Sequence, residues 1–272
     1  MSKIILITGA SAGMGKATAK QLISEGHIVY GAARRVENMQ DLVELGGFAL
    51  KLDVSSSENI ESVVKEIIKA HGRIDVLVNN AGYSVYGSVE NVSDEDAKKQ
   101  FDVNLFGAAA LTKRIIPYMR EQQSGHIINV TSVGGKIGFP LGAWYHASKH
   151  ALEGWSDSLR MELTQFGINV LIVEPGAIAS EFYEVMNEPM MQRDKGTVYE
   201  SIMNGIIKTN HNTNDGSPST KPEVIAEIIT KAIASKRPKT RYVAGKGAKA
   251  VLLMRKLLSD RGFDKAILSI LK

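Results

Sequence analysis

The chain of 272 residues contains no cysteine. That removes disulfides, thiolate zinc sites and a cysteine nucleophile together, and it is compatible with a reducing compartment. Long apolar runs are missing too, since none approaches the roughly 18 residues that a membrane-crossing helix needs. No charged segment or cleavage site precedes the first apolar stretch, Lys3 to Ile7, so no secretory signal is expected and the cytoplasm is the expected location. The sequence shows no internal repeat or low-complexity linker, and no motif supports nucleic-acid binding. What is present is ordinary globular composition, with 44% hydrophobic and 23% charged residues, in a chain long enough to bury a sizeable core.

The net charge of +4 is unevenly placed. Between residues 246 and 272 stand seven basic residues (Lys246, Lys249, Arg255, Lys256, Arg261, Lys265, Lys272) against Asp260 and Asp264, a net of +5 that leaves −1 for the rest of the chain.

Short apolar runs alternate with helical periods almost from end to end. Strands are expected at 3–8, 27–32, 48–53, 74–79, 126–131, 168–173 and 240–245. Most are continuously apolar, as befits strands covered on both faces. Between them, 14–25, 57–70, 94–120 and 145–166 carry apolar residues at three-to-four-residue spacing. The pattern predicts a Rossmann-type, doubly wound α/β fold, with about seven mostly parallel strands flanked by helices, in one domain over 1–272. One interval, 177–221, has no strand, and its later part, "TNHNTNDGSPST" (209–220), reads as a polar turn-rich loop. An insertion of this length after a strand's carboxyl end predicts a substrate lid.

Two features carry chemistry. In "LITGASAGMG" (6–15), Gly9, Gly13 and Gly15 follow the first strand and open a helix. Glycines there allow a tight turn and close backbone approach, so that a pyrophosphate can rest on the helix N-terminus. The absence of a following Gly-Lys-Ser/Thr argues against a phosphate-transferring NTPase. At the end of the second strand, where an acid would hold the adenosine ribose and disfavour a 2′-phosphate, the sequence reads "GAARR". Arg34 and Arg35 there suit a phosphate, favouring NADP(H) over NAD(H).

"TGASAGMG" (8–15), "LDV" (52–54), "NNAG" (79–82), Asn104 in "FDVNLFG", Ser132 in "NVTSVGG", "YHASK" (145–149) and "PG" (175–176) stand in the order and rough spacing of the short-chain dehydrogenase/reductase family, which the chain resembles over about residues 3 to 245. The stretch 143–163 is most similar to the hydroxysteroid and retinol dehydrogenase branch. Tyr145 and Lys149 share a helix face; an adjacent cation favours the phenolate and brings a tyrosine, whose ordinary pKa is about 10, toward useful acid–base chemistry.

The resemblance implies a catalytic set of Asn104, Ser132, Tyr145 and Lys149. In it Tyr145 exchanges the proton of the carbonyl or alcohol oxygen, Ser132 hydrogen-bonds that oxygen, Lys149 also holds the nicotinamide ribose, and the Asn104 backbone helps retain a water linking Lys149 to solvent. It further implies cofactor contacts from Thr8, Gly9, Ser11, Gly13, Met14 and Gly15, from Asp53 and Val54 at the adenine, from Asn80, Ala81 and Gly82 along the groove, and from Pro175, Gly176 and Ile178 beside the nicotinamide. Where the family often has threonine, Ser180 stands, whose hydroxyl can make the same bond to the carboxamide. No metal is required, and a homodimer or homotetramer through the helices 94–120 and 145–166 is implied.

For substrate, Ser132 and Tyr145 are joined by Tyr83, Phe139, Phe182 and Met186 as candidate contacts, and the aromatic and methionine-rich "EFYEVMNEPMM" (181–191) suits a lipophilic ketone, aldehyde or secondary alcohol. Tyr83, Phe139 and Trp144 are expected first as core packing, although their motif positions put them near the expected pocket mouth. His146 and His150 are expected on other faces of the catalytic helix. The 246–272 segment forms two amphipathic helical periods, expected to pack on the body or a second subunit, while its charge also suits peripheral contact with an anionic membrane. The other function classes are a non-catalytic NADP(H)-binding sensor and a nucleotide-binding methyltransferase; the methyltransferase leaves the Tyr145–Lys149 pair unexplained.

Overall fold

The computed structural model describes residues 2–179, 182–214 and 220–271. Seven strands, β1 (Ile4–Thr8), β2 (Ile28–Ala33), β3 (Phe48–Lys51), β4 (Val76–Asn79), β5 (Gly125–Val130), β6 (Ile168–Pro175) and β7 (Arg241–Ala244), form one sheet in the order β3-β2-β1-β4-β5-β6-β7. Every pair is parallel. Successive side chains of a strand face opposite sides of the sheet, and both sides are covered. Ile5, Ile7, Val76, Val78 and Ile128 enter the core under α1 (Gly13–Ser24) and α9 (Pro222–Ala234), whereas Ile4, Leu6, Leu77 and Ile127 enter the one under α3 (Ser57–His71), α5 (Ala108–Glu121) and α6 (Ala143–Leu163). At about 1.5–3 kcal/mol for each fully buried aliphatic side chain, two-sided burial explains why the strands are apolar throughout.

Strand order reverses between β1 and β4, both of which leave their carboxyl ends at the same edge. Ligands of open α/β sheets bind in the crevice at such a switch point. The short α2 (Gln40–Glu44) follows β2, and α4 (Asp94–Phe101) precedes α5.

Two stretches differ from the sequence-based expectation. The segment 94–120 is not one uniform helix: between α4 and α5 the turns widen to π geometry at Asp102–Gly107. Of the polar stretch 209–220, residues 209–214 complete α8 (Glu200–Asn214) instead of forming a loop, and 215–219 lie outside the described residues. Among its described residues the interval thus holds α7 (Phe182–Asp194) and α8. The chain ends in α10 (Ala248–Leu257) and α11 (Asp260–Ile270). Among the described residues no helix is long and apolar enough to cross a membrane.

Candidate active site

The carboxyl edge of β1 is built around Thr8. Its buried hydroxyl donates to the Val78 carbonyl (3.3 Å) and accepts the backbone N–H groups of Asn80 (3.0 Å) and Ala81 (2.9 Å). The Asn80 amide returns hydrogen bonds to the carbonyls of Thr8 (2.9 Å) and Gly9 (3.2 Å). Thr8 and Asn80 therefore staple the glycine loop to the end of β4.

The fit is tight enough to require glycine. Gly9 has φ +68°, and a Cβ on it would stand 2.8 Å from Asn80 Nδ2; a Cβ at Gly15 would collide with Asn80 Nδ2 and the Gly9 carbonyl. Gly13 also has positive φ, +53°. No side chain caps α1 at Ala12, whereas Ser56 and Ser93 cap α3 and α4. The first-turn N–H groups of α1 are thus left without a side-chain acceptor behind a glycine-rich turn, a fit for a pyrophosphate. Met14 turns its side chain into the core, and Ser11 is half-buried.

Arg34 and Arg35 are exposed directly after β2. Beyond β3, Asp53 accepts the Ser55 hydroxyl (2.6 Å) and amide (2.9 Å). The hydroxyl bond, with a smaller contribution from the Arg34 charge, holds the Asp53 carboxyl below its ordinary range against the opposing effect of burial. The buried Val54 meets the start of α5, where a Cβ on Gly107 would reach within 2.7 Å of the Val54 carbonyl oxygen.

Tyr145 and Lys149 lie one turn apart at the start of α6, only 8% and 6% exposed. Lys149 Nζ donates to the Val130 carbonyl at the end of β5 (3.0 Å). Burial pushes the ammonium pKa down from 10.5 to about 8, with the negative charge of Glu153, the next turn along, opposing. A Cβ on Gly82 would lie 3.6 Å from Lys149 Nζ and 3.2 Å from Asn104 Oδ1, so that glycine leaves the two polar groups facing a common gap.

Asn104 sits in the π turn. Its Oδ1 accepts the Tyr83 N–H (3.1 Å), while Nδ2 donates to the Tyr83 carbonyl (2.9 Å) and to Ser148 Oγ (3.1 Å). One side chain thereby ties the loop after β4 to α6, and the widened turn lets it face inward. Ser132 Oγ accepts the Gly134 N–H (3.0 Å) and points toward the Pro175 carbonyl at 3.5 Å. Gly134 packs against the Tyr145 ring, since a Cβ there would stand 3.2 Å from Cε1.

The candidate substrate contacts are dispersed. Tyr83 packs with Val85, Val92, Ala97 and Trp144; Phe139 joins Ile137 and Val133; Met186 is buried with Met190, Met203, Ile206 and Leu141 against Tyr86. Of the remaining candidates, Pro175 and Gly176 end and follow β6, Ile178 is buried in the core, Ser180 lies outside the described residues, and Phe182 opens α7 with a side chain that is likewise outside them.

His146 follows Tyr145 on α6 and lies beside it. Its ring packs 5.5 Å from the Tyr145 ring, 6.2 Å from Tyr86 and 6.0 Å from Phe139. Burial lowers its pKa to about 4, opposed by the bond to the Gly134 carbonyl (3.0 Å). The ring is therefore neutral near pH 7 and donates from Nδ1.

Several further groups escaped the sequence. Glu153 takes the Thr131 hydroxyl (2.6 Å), Lys136 (2.8 Å) and Arg241 (3.1 Å) in a buried cluster behind Lys149. Asn79 and Asn129 link β4 and β5 side by side (2.9 Å), and Asn129 continues to Ser156 of α6 (2.8 Å). Asp194, fully buried at the end of α7, accepts from the Ser88 amide (2.9 Å), the Ser88 hydroxyl (2.7 Å) and the Asn91 amide (2.9 Å), while Arg193 bonds the Tyr86 carbonyl (2.9 Å) and Asp96 (2.9 Å). Only the polar interruptions in apolar segments, such as Asn79 and Asn129 within strands, offered a signal in the sequence.

Comparison with known proteins agrees with this geometry. The family model described as short chain dehydrogenase matches residues 3–190. The 3-ketodihydrosphingosine reductase of Bacteroides thetaiotaomicron is 36% identical over 243 residues, 89% of this chain and 88% of its own. A short-chain dehydrogenase from Streptomyces avermitilis superposes with TM-score 0.80 at 32% identity, covering 94% of this chain and 93% of its own. A variant of actinorhodin polyketide ketoreductase, solved with NADPH, gives TM-score 0.78 at 29% identity over 91% and 97% of the two chains.

Proposed function

The chain belongs to the short-chain dehydrogenase/reductase family of oxidoreductases, and we propose that it transfers hydride between NADP(H) and a lipophilic carbonyl or secondary alcohol in the cytoplasm, with Tyr145 as general acid and base. The carrying observation is the buried Tyr145–Lys149 pair on one face of α6, beside the Gly82–Asn104 gap and the uncapped glycine cradle.

A bound nicotinamide would supply the hydride or accept it. In this reading the amides of residues 9–15 hold the pyrophosphate, Asp53 and Val54 border the adenine, Asn80, Ala81 and Gly82 line the groove, and Pro175, Gly176, Ile178 and Ser180 border the nicotinamide. Tyr145 gives its proton to the carbonyl oxygen in reduction and takes it back in oxidation. Ser132 donates to the same oxygen, so charge developing there meets two donors. The Lys149 ammonium favours the phenolate during the exchange and holds the nicotinamide ribose, and Asn104 fixes the loop that faces it. The Bacteroides relative is named for a ketone-bearing sphingoid lipid, which supports a lipophilic carbonyl for this chain. Exposed Phe106 and Met161, on the π turn and α6, support self-association through α5 and α6. The first test is NADPH oxidation with a panel of steroid, retinoid and long-chain carbonyls; absence of turnover on every member, with NADPH bound, would move the reading to a sensor.

Cofactor preference rests on Arg34 and Arg35. Replacing both with Gln is expected to raise KM for NADPH about a hundredfold or more, because each removes a charged hydrogen bond of about 1.5–3 kcal/mol, and to leave KM for NADH unchanged. Equal loss for both cofactors would reject the phosphate assignment.

We further propose that α7 and α8 cover the substrate, anchored by Asp194. In Asp194→Ala the donors of Ser88 and Asn91 lose their acceptor, so stability to urea should fall by about 3 kcal/mol and KM for the carbonyl should rise more than KM for NADPH. An unchanged carbonyl KM in the folded variant would remove these helices from the substrate site.

A further inference from the structure

The basic C-terminal segment has an inner and an outer face. On the inner face Phe263 and Ile267 are buried with Ile137, next to Val133 and Phe139 of the segment that follows Ser132, and Val251, Leu252 and Met254 close over them. The outer face is apolar as well. Leu253 is 56% exposed and Leu257 73%, one helical turn apart, with Leu258 exposed immediately after them.

Cations flank these leucines. Lys249 and Lys256 stand four residues before and three after Leu253, on the same side of α10, and Arg261 lies in the first turn of α11; all three are exposed. Among the described residues no carboxylate lies within ion-pair distance of Lys249, Lys256, Arg261 or Lys265, whereas Arg255 pairs with Asp260 at 2.6 Å. The surface thus joins three exposed leucines to lysine and arginine side chains without a carboxylate partner.

We infer that the outer face of α10 and the start of α11 docks on an anionic lipid bilayer. A second copy of the chain, meeting this surface symmetrically, would bring the same unpaired cations together. A bilayer satisfies both halves of the pattern. The leucines enter the boundary of the acyl region, and the long lysine and arginine side chains reach the phosphates above it. Docking there brings the segment that follows Ser132, on which the inner face is seated, close to the membrane surface.

Flotation of the full chain with vesicles tests this. Binding is expected to phosphatidylcholine vesicles containing phosphatidylglycerol and not to phosphatidylcholine alone, and it should weaken as salt screens the charges. Lys249→Gln and Lys256→Gln should each weaken it about fivefold, and Leu253→Ser with Leu257→Ser should abolish it, all at an unchanged melting temperature. Equal binding to both vesicle types, or undiminished binding by the folded variants, overturns the inference. So does a wild-type dimer that Leu257→Ser converts to monomer, since a second copy would then cover the face.

Discussion

Tyr145→Phe is expected to lower kcat by about a thousandfold, within the range of a lost general acid, with NADPH affinity changed by no more than a few-fold. The phenylalanine ring keeps the packing against Tyr86 at 6.0 Å and His146 at 5.5 Å, so only the oxygen is removed and the melting temperature should hold. The neighbouring His146 cannot substitute. Its pKa of about 4 leaves no proton to give from Nε2 near pH 7, and its Nδ1 is engaged by the Gly134 carbonyl. Stopped-flow NADPH oxidation with a carbonyl that the wild type reduces decides the matter; retention of a tenth or more of the rate would transfer the proton to another group.

Lys149→Met should be nearly as damaging, by about a hundredfold or more in kcat/KM, because in the proposed mechanism the charge that favours the phenolate and the donor to the ribose disappear together. Its effect on stability runs the other way with a definite pH dependence. Below about pH 8 the wild-type lysine is charged in both the folded and the unfolded chain, and the cost of burying it is fully present. Between about 8 and 10.5 the folded chain has released the proton while the unfolded chain still holds it, so wild-type stability rises with pH. Above 10.5 both forms are neutral and the cost is gone. Relative to Lys149→Met, the wild type should therefore gain on the order of 3 kcal/mol between pH 7 and pH 10.5, at about 1.4 kcal/mol per pKa unit. Urea denaturation of the two proteins at several pH values measures the difference; parallel curves would mean that Lys149 is not desolvated.

Both expectations use residues that are close in the chain, and this is why the sequence displayed them. A Tyr and a Lys four residues apart on a helix must share a face. Gly9, Gly13 and Gly15 mark a turn because the backbone there needs positive φ or close approach. The strands announced themselves by continuous apolar runs. The π turn at Asn104 did not, since a single widened turn leaves the helical spacing of 94–120 almost intact. The packing of the His146 ring beside Tyr145 was not legible either, because helical spacing gives the direction of Cβ and not where a large ring comes to rest. Residues 209–214 read as loop on their polarity, yet they extend α8.

By itself, then, the sequence determined the alternation of strands and helices, the glycine loop and the Tyr145–Lys149 spacing, all of which rest on local backbone preference and on which residues must leave water. Only the tertiary structure decided which distant groups meet. The Ser88–Asp194 clasp joins residues 106 apart, Glu153 and Arg241 meet across 88, and Lys149 becomes a shifted ammonium because β5 and α6 enclose it. Desolvation and long-range hydrogen bonding depend on what the fold packs around a group, and a side chain's neighbours along the chain do not carry that information.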